Sequence, residues 1–303
     1  MASPRAARLL PCWVLLAALS GGCAATGPAP ATEVVPPKVG VALGGGGARG
    51  FAEIGVLRVL EQEKIPIDVV VGTSVGSLIG ALYADSGSVL DAEFLATEVT
   101  DEDLFDYRAL AFLSGGLVKG EKLEKFLERH LRHRSVESMA VPFAAVATEL
   151  RTGRTVVFDR GPVARAVHAS CAIPGVFVPV EIDGRTFVDG GVTEPVPVAP
   201  ARARGADVVI AVSIPAAVPG ETPRTPVGVV YHAVSIMAAE IGRRSARDAD
   251  VVIEPDVGDV AYDDFSQKRR LIAAGEAAAR AALPAVRAAI EAGSKVPAAP
   301  ARR

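Results

Sequence analysis

Histidine and cysteine are scarce in this 303-residue sequence, with four of the first and three of the second. No Cys-x-x-Cys pair and no histidine cluster is present, so no metal site is expected. Cys12, Cys23 and Cys171 are too few and too scattered for a disulfide framework. Basic charge is also lacking: Lys and Arg number 32 against 35 Asp and Glu, a net charge of −3. That excludes the broad positive field of a nucleic-acid binder. Aromatic residues make up only 5%. Long apolar runs are missing too, since the run from Leu9 to Ser20 is too short to span a bilayer. What is abundant is small and aliphatic: half the residues are hydrophobic, ample for a packed core in one or two domains.

The short apolar run has a context. Arg5 and Arg8 precede it, and Ser20, Gly21, Gly22 and Cys23 follow it. Residues 1–22 therefore read as a signal peptide. The end of the run resembles the lipobox of bacterial lipoproteins, in which the cysteine is lipidated. The usual leucine three places before the cysteine is Ser20 here, with Leu19 one place further back. An ordinary secretory signal cleaved near Ala25 is the competing reading. The resemblance implies lipidation of Cys23, a membrane anchor and a place in the cell envelope, with Ala24 compatible with outer-membrane sorting. Residues 23–38 are rich in Ala and Pro and read as a tether, 39–293 as the folded domain, and 294–303 as a disordered tail.

The body alternates strand and helix signals. Strands are expected at 38–43, 67–74, 141–150, 185–192, 206–214 and 249–257. Helices are expected at 49–62, 75–84, 121–132, 227–247 and 268–292. Short apolar strands between helices argue an α/β fold: a mainly parallel central sheet with helices on both faces. The apolar stretch 104–118, LFDYRALAFLSGGLV, reads equally as a cover over a site or as core.

Two loops carry chemistry. In VALGGGGARGFAEIGVL, 41–57, four glycines follow a strand and open a helix. Orphan N–H groups in such a loop attract negative charge, either a bound phosphate or an oxyanion formed during reaction. Gly45, Gly47 and Gly50 match G-x-G-x-x-G, a weak pattern on its own. A dinucleotide site wants an acidic residue at the end of the next strand, whereas Asp68 begins that strand and Ser74 ends it. Ser74 is the centre of GTSVG, Gly72 to Gly76, a G-x-S-x-G between strand and helix. That context describes a nucleophile elbow, although serine also serves as an ordinary helix N-cap. A nucleophile at one strand end and N–H donors at its neighbour suit acyl transfer. The donors would come from Gly44, Gly45, Gly46 and Gly47, with Ala48 and Arg49 beside them.

Serine needs a base. His130 and His133 fall in a charged helix, and His168 suits packing. His232 lies after Asp189, giving the order Ser, Asp, His of a triad esterase, but it falls inside an expected helix. Asp189, in VDGGV, ends an apolar strand, and partial burial would raise its pKa toward that of a useful base. A tight Asp-Gly turn with no chemistry is its plainer reading.

GGGGARG, GTSVG and DGG, in that order, resemble the motifs of the patatin-like phospholipase family. The stretches IPIDVVVGTSVGSLIGALYA, ASCAIPGVFVPVEIDGRTFVDGGVTEPVPV and GADVVIAVSI are similar to bacterial members too, covering about residues 39 to 214. The resemblance implies a patatin-like three-layer α/β/α fold and a serine lipid acyl hydrolase acting on phospholipid or related acyl esters. It also implies a Ser–Asp dyad without histidine: Ser74 as nucleophile, Asp189 as base, and Gly44–Gly47 as oxyanion loop beside the basic Arg49. Gly72, Gly76, Gly190 and Gly191 are the motif glycines. Two departures stand out. Glu53 sits where many bacterial members have histidine, and Glu149 where aspartate is common. A lipid- or nucleotide-binding lipoprotein without turnover remains a third reading beside the dyad and the triad.

Overall fold

The computed structural model describes residues 35–99, 118–215 and 224–293. The eight strands are β1 (Val39–Leu43), β2 (Val69–Thr73), β3 (Phe143–Glu149), β4 (Arg154–Phe158), β5 (Val180–Ile182), β6 (Arg185–Asp189), β7 (Val208–Val212) and β8 (Val251–Ile253). The helices are α1 (Ala52–Gln62), α2 (Val75–Ser86), α3 (Val89–Glu98), α4 (Glu121–His130), α5 (Val163–Cys171), α6 (Val198–Ala203), α7 (Pro226–Ser245) and α8 (Lys268–Gly293). All eight strands join one sheet. The pairs β1–β2, β1–β7, β2–β3 and β7–β8 are parallel, while β4, β5 and β6 pair antiparallel at one side.

The alternation of side chains sorts the sheet into two layers of core. Val39, Val41, Leu43, Val70, Ile210 and Val212 face one side and meet α1, α2 and α8. Ala42, Val71, Val146, Val209 and Ala211 face the other and meet Val196, Val198, Ala201 and Ala246. The expected sandwich of helix, mainly parallel sheet and helix is the observed one.

Several strands are shorter than the sequence suggested. Residues 190–192 form a short 3-10 turn instead of continuing β6, and 249–257 yields only three strand residues. Residues 47–51 form a 3-10 turn before α1 begins. Strands β4 and β5 and helices α3, α5 and α6 were not expected. The signal segment, Cys23, most of the tether, residues 104–117 and the tail 294–303 lie outside the described residues. Val118, the last residue of the apolar stretch, is fully buried. No described helix is long and apolar enough to cross a membrane.

Register brings distant residues together. Residues 145 and 146 of β3 pair with both β2 and β4, so these two strands flank β3 on opposite edges. Residues 147–149 pair with both β4 and β6. Each strand residue has only two edges, so β6 shares with β2 the edge that β4 leaves free. Strand β2 runs parallel to β3 and β6 antiparallel, so their C-terminal ends point at each other. Thr73 is opposite Val146, and Asp189 is opposite the next residue, Ala147. Ser74 and Asp189 therefore meet where the two strands end.

Candidate active site

Ser74 carries φ +55° and ψ −127°, one of only three non-glycine residues with positive φ among those described. A non-glycine side chain in this region is strained, and such strain gathers at functional sites. The turn is tolerable only because its flanks are bare. A Cβ on Gly72 would lie 2.2 Å from the Gly76 carbonyl oxygen, and one on Gly76 would lie 2.4 Å from the Leu43 oxygen. The Ser74 backbone N–H donates to Ser170 Oγ at 2.9 Å, and that hydroxyl donates to the Val146 carbonyl at 2.6 Å. Ser170 thus ties the elbow to β3. Nothing in the local sequence pattern separates Ser170 from its neighbours.

Asp189 is 5% exposed. Its Oδ1 accepts the Gly191 N–H at 2.7 Å, while Oδ2 is buried with no hydrogen-bond partner. Burial pushes its pKa up from 3.8 to about 6, and the neighbouring Ser74 hydroxyl and Gly191 N–H pull it down. The Asp189 N–H is anchored to the Ala172 carbonyl at 2.8 Å. Gly190 lets the turn fold back, since a Cβ there would stand 2.2 Å from the Val146 oxygen.

The glycine loop lies on the other side of the serine, with a Cβ on Gly45 3.4 Å from that of Ser74. Its amides are not equivalent. The Gly44, Gly45 and Ala48 N–H groups donate to the carbonyls of Val212, Pro195 and Tyr262, at 3.0, 2.9 and 2.8 Å. Gly46 and Gly47 N–H have no acceptor among the described residues. The expectation that the whole loop supplies donors therefore narrows to these two. Arg49 is buried, with Nε on the Gly46 carbonyl at 3.2 Å and Nη1 on the Pro215 carbonyl at 3.0 Å. Its guanidinium stands 5.4 Å from the centre of the Tyr262 ring. Arg49 thus holds the loop's shape from inside.

The other candidates lie elsewhere. Asp68 Oδ2 accepts the Val39 N–H at 2.7 Å, at the end of the sheet opposite the glycine loop. No acidic residue therefore waits at the end of β2 as a dinucleotide site requires. His232 is on α7, its Nδ1 buried without a partner, and the Asp189 carboxyl meets Ser74 and Gly191 instead of an imidazole. His133 bonds Asp85, His168 bonds Glu124, and His130 bonds the Phe126 carbonyl. Glu53 is fully buried below the loop, and neither of its oxygens has a hydrogen-bond partner. Burial drives its pKa well up, with the nearby Gly44 N–H opposing. Glu149 is held low, to about 2, by Arg185 and Thr152.

An α/β sheet with a strained serine elbow, a buried carboxyl at the facing strand end and a glycine loop beside them defines a class of acyl-transfer architecture. The profile of the patatin-like phospholipase family matches residues 41–202, over half of the chain. The chain belongs to the patatin-like phospholipase family. It is 37% identical over 191 residues to an uncharacterised NTE family protein of Mycobacterium tuberculosis, covering 62% of this chain and 53% of that one. It is 34% identical over 190 residues to the lysophospholipase NTE1 of Coccidioides immitis, covering 62% of this chain and 12% of that one. The chain thus spans about half the length of the mycobacterial relative and a small part of the fungal one. Among solved structures, VipD from Legionella pneumophila superposes with a TM-score of 0.51 at 13% identity, over 84% of this chain and 67% of that one, a likeness of fold.

Proposed function

We propose that this protein is a serine lipid acyl hydrolase that cleaves fatty-acyl esters of phospholipids or related lipids. The observation that carries the reading is the meeting of a strained Ser74 and the buried Asp189, whose Oδ2 is unpartnered, at the facing ends of β2 and β6. The family and the lysophospholipase name of the fungal relative support the lipid substrate.

The mechanism follows from the groups present. Asp189 Oδ2 takes the hydroxyl proton as Ser74 Oγ attacks the ester carbonyl. The Gly46 and Gly47 N–H groups bind the oxyanion, each such donor being worth about 10²–10³ in rate. Collapse of the tetrahedral species expels the alcohol or lysophospholipid, which receives the proton from Asp189. Water then adds to the acyl-Ser74 ester, giving its proton to Asp189, and the fatty acid leaves. A carboxyl raised to about 6 is a better base than an ordinary aspartate and is still ionised at neutral pH. The site's own groups supply every proton transfer.

Lipid-product profiling tests this. Purified wild type should release fatty acid from phospholipid or lysophospholipid vesicles. Ser74→Ala should lose at least about 10³-fold of that rate while remaining folded.

Lipidation of Cys23 would hold the enzyme in the cell envelope against its substrate surface, most firmly if the cysteine carries several chains. Metabolic labelling with a fatty acid analogue should mark the wild type and not Cys23→Ala. Equal labelling of both would remove the anchor from the account.

A further inference from the structure

Helix α7 is built inside out. Its inward side is marked by Gly242, where an added Cβ would lie 3.7 Å from that of Pro195. Ser235 sits two helical turns earlier on the same side, and His232 precedes it by nearly one turn. Both are half-buried, and the Nδ1 of His232 is shielded from solvent. The outward side carries Val229, Val230, Val234, Ile236 and Met237, each between 49% and 64% exposed. A surface helix ordinarily places these residue types the other way round. One more exposed apolar residue lies where α7 meets the active site. The helix rests on the turn Gly190–Val192 that follows Asp189, and Val192 in that turn is 44% exposed. Charge is as unevenly spread as polarity. No Asp, Glu, Lys or Arg occurs from Thr225 to Ala239. Arg224 precedes that run, and Arg243, Arg244 and Arg247 follow it, with Glu240 the only acid among them. The segment is therefore basic in a chain whose net charge is −3.

We propose that the outward face of α7 docks on the surface of an anionic lipid layer, bringing that surface up to the turn that follows Asp189. The inference rests on the acyl hydrolase reading for its lipid partner. The uncharged run is too short to cross a bilayer, which takes about 20 apolar residues. A helix of this kind lies in the plane of the interface, with its apolar side sunk into the boundary between headgroups and acyl chains. Exposed apolar side chains gathered in one patch mark such a contact. The arginines at both ends of the run then reach lipid phosphates while their stems stay beside the apolar layer. Charge also argues against a second copy of the chain as the occupant. Both ends of the face are basic, so two copies packed face to face would oppose arginines to arginines whichever way the helices ran. An anionic lipid surface satisfies the valines and the arginines together.

Val230→Asp combined with Val234→Asp tests this in the full chain, with Cys23→Ala in every protein compared so that no acyl chain on Cys23 contributes. Binding to sucrose-loaded vesicles of phosphatidylglycerol and phosphatidylcholine, read by sedimentation, should weaken at least about 10-fold in the double variant. Hydrolysis of the same vesicles should fall in step, whereas hydrolysis of dissolved nitrophenyl butyrate should stay at the parent's rate. Unchanged sedimentation overturns the proposal, and so does equal binding to vesicles of phosphatidylcholine alone. If the double variant does not fold, Val234→Trp replaces it, with Trp13→Phe removing the chain's only other tryptophan. Brominated phospholipid in the vesicles should quench that tryptophan, and an unquenched signal overturns the proposal equally. A dimer that the double variant dissolves, with no vesicle binding by the parent, gives the face to a second copy and overturns it too. Sedimentation needs no turnover, so the two readings fail separately. Binding through α7 without hydrolysis of any ester defeats the hydrolase alone. Vesicle hydrolysis undiminished in the double variant defeats the docking alone.

Discussion

Residue by residue, Asp189 shows how function opposes stability. Its folded pKa of about 6 lies above the ordinary 3.8, so the native state binds more protons than the unfolded chain between those values. Stability therefore falls as pH rises from about 4 to about 6 and stays reduced above that. The cost at neutral pH is on the order of 2–3 kcal/mol. Asp189→Asn should accordingly unfold at higher urea than the wild type at pH 7.5 while losing activity, and the two denaturation midpoints should converge toward pH 4. Activity runs the opposite way: kcat/KM of the wild type should fall about tenfold per unit below pH 6, as the base is protonated. Ser170 is the second test at this scale. Ser170→Ala leaves the Ser74 N–H and the Val146 carbonyl without their shared partner. A loss of about 1–3 kcal/mol in urea unfolding is expected, with a lower kcat. Ser74 and Asp189 were legible because their motifs are local. Ser170 and Tyr262 were not, because each meets the elbow or the glycine loop only through contacts with residues far away in sequence.

Among the elements, the elbow and the loop depend on backbones that touch. Gly72→Ala would press a methyl onto the Gly76 carbonyl in a turn that has no slack. It should destabilise the protein by roughly 1–3 kcal/mol or more and abolish labelling of Ser74, measured by urea unfolding and fluorophosphonate reaction. The order of strands and helices could be read from the sequence because β1, β2, β3 and β7 are apolar on both faces and bounded by glycine, proline or charge. The end-to-end meeting of β2 and β6 could not. It arises from β4 occupying the opposite edge of β3, and the pattern of β4, RTVVF, is exposed at its start and only half-buried further along. The loop donors were over-counted for a similar reason, since the carbonyls of Val212, Pro195 and Tyr262 that claim three of them come from other elements.

In the whole molecule, the fold continues past residue 202, where the family profile ends. Strand β7 pairs along the full length of β1, and α8 lies on α1 so closely that Gly55 and Gly275 contact the opposing backbones. Leu271, Ile272, Ala279 and Val286 of α8 are buried. Truncation after Gln267 should therefore yield an insoluble or unfolded chain, seen by circular dichroism. A nucleophilic Ser74 must carry the acyl group for part of every turnover. Mass spectrometry of peptides from enzyme quenched while it turns over a fatty-acyl ester detects that species. The added acyl mass should appear on the peptide carrying Ser74 in the wild type and be absent in Ser74→Ala, together with the loss of fatty-acid release. Fatty-acid release that persists undiminished in Ser74→Ala would contradict it.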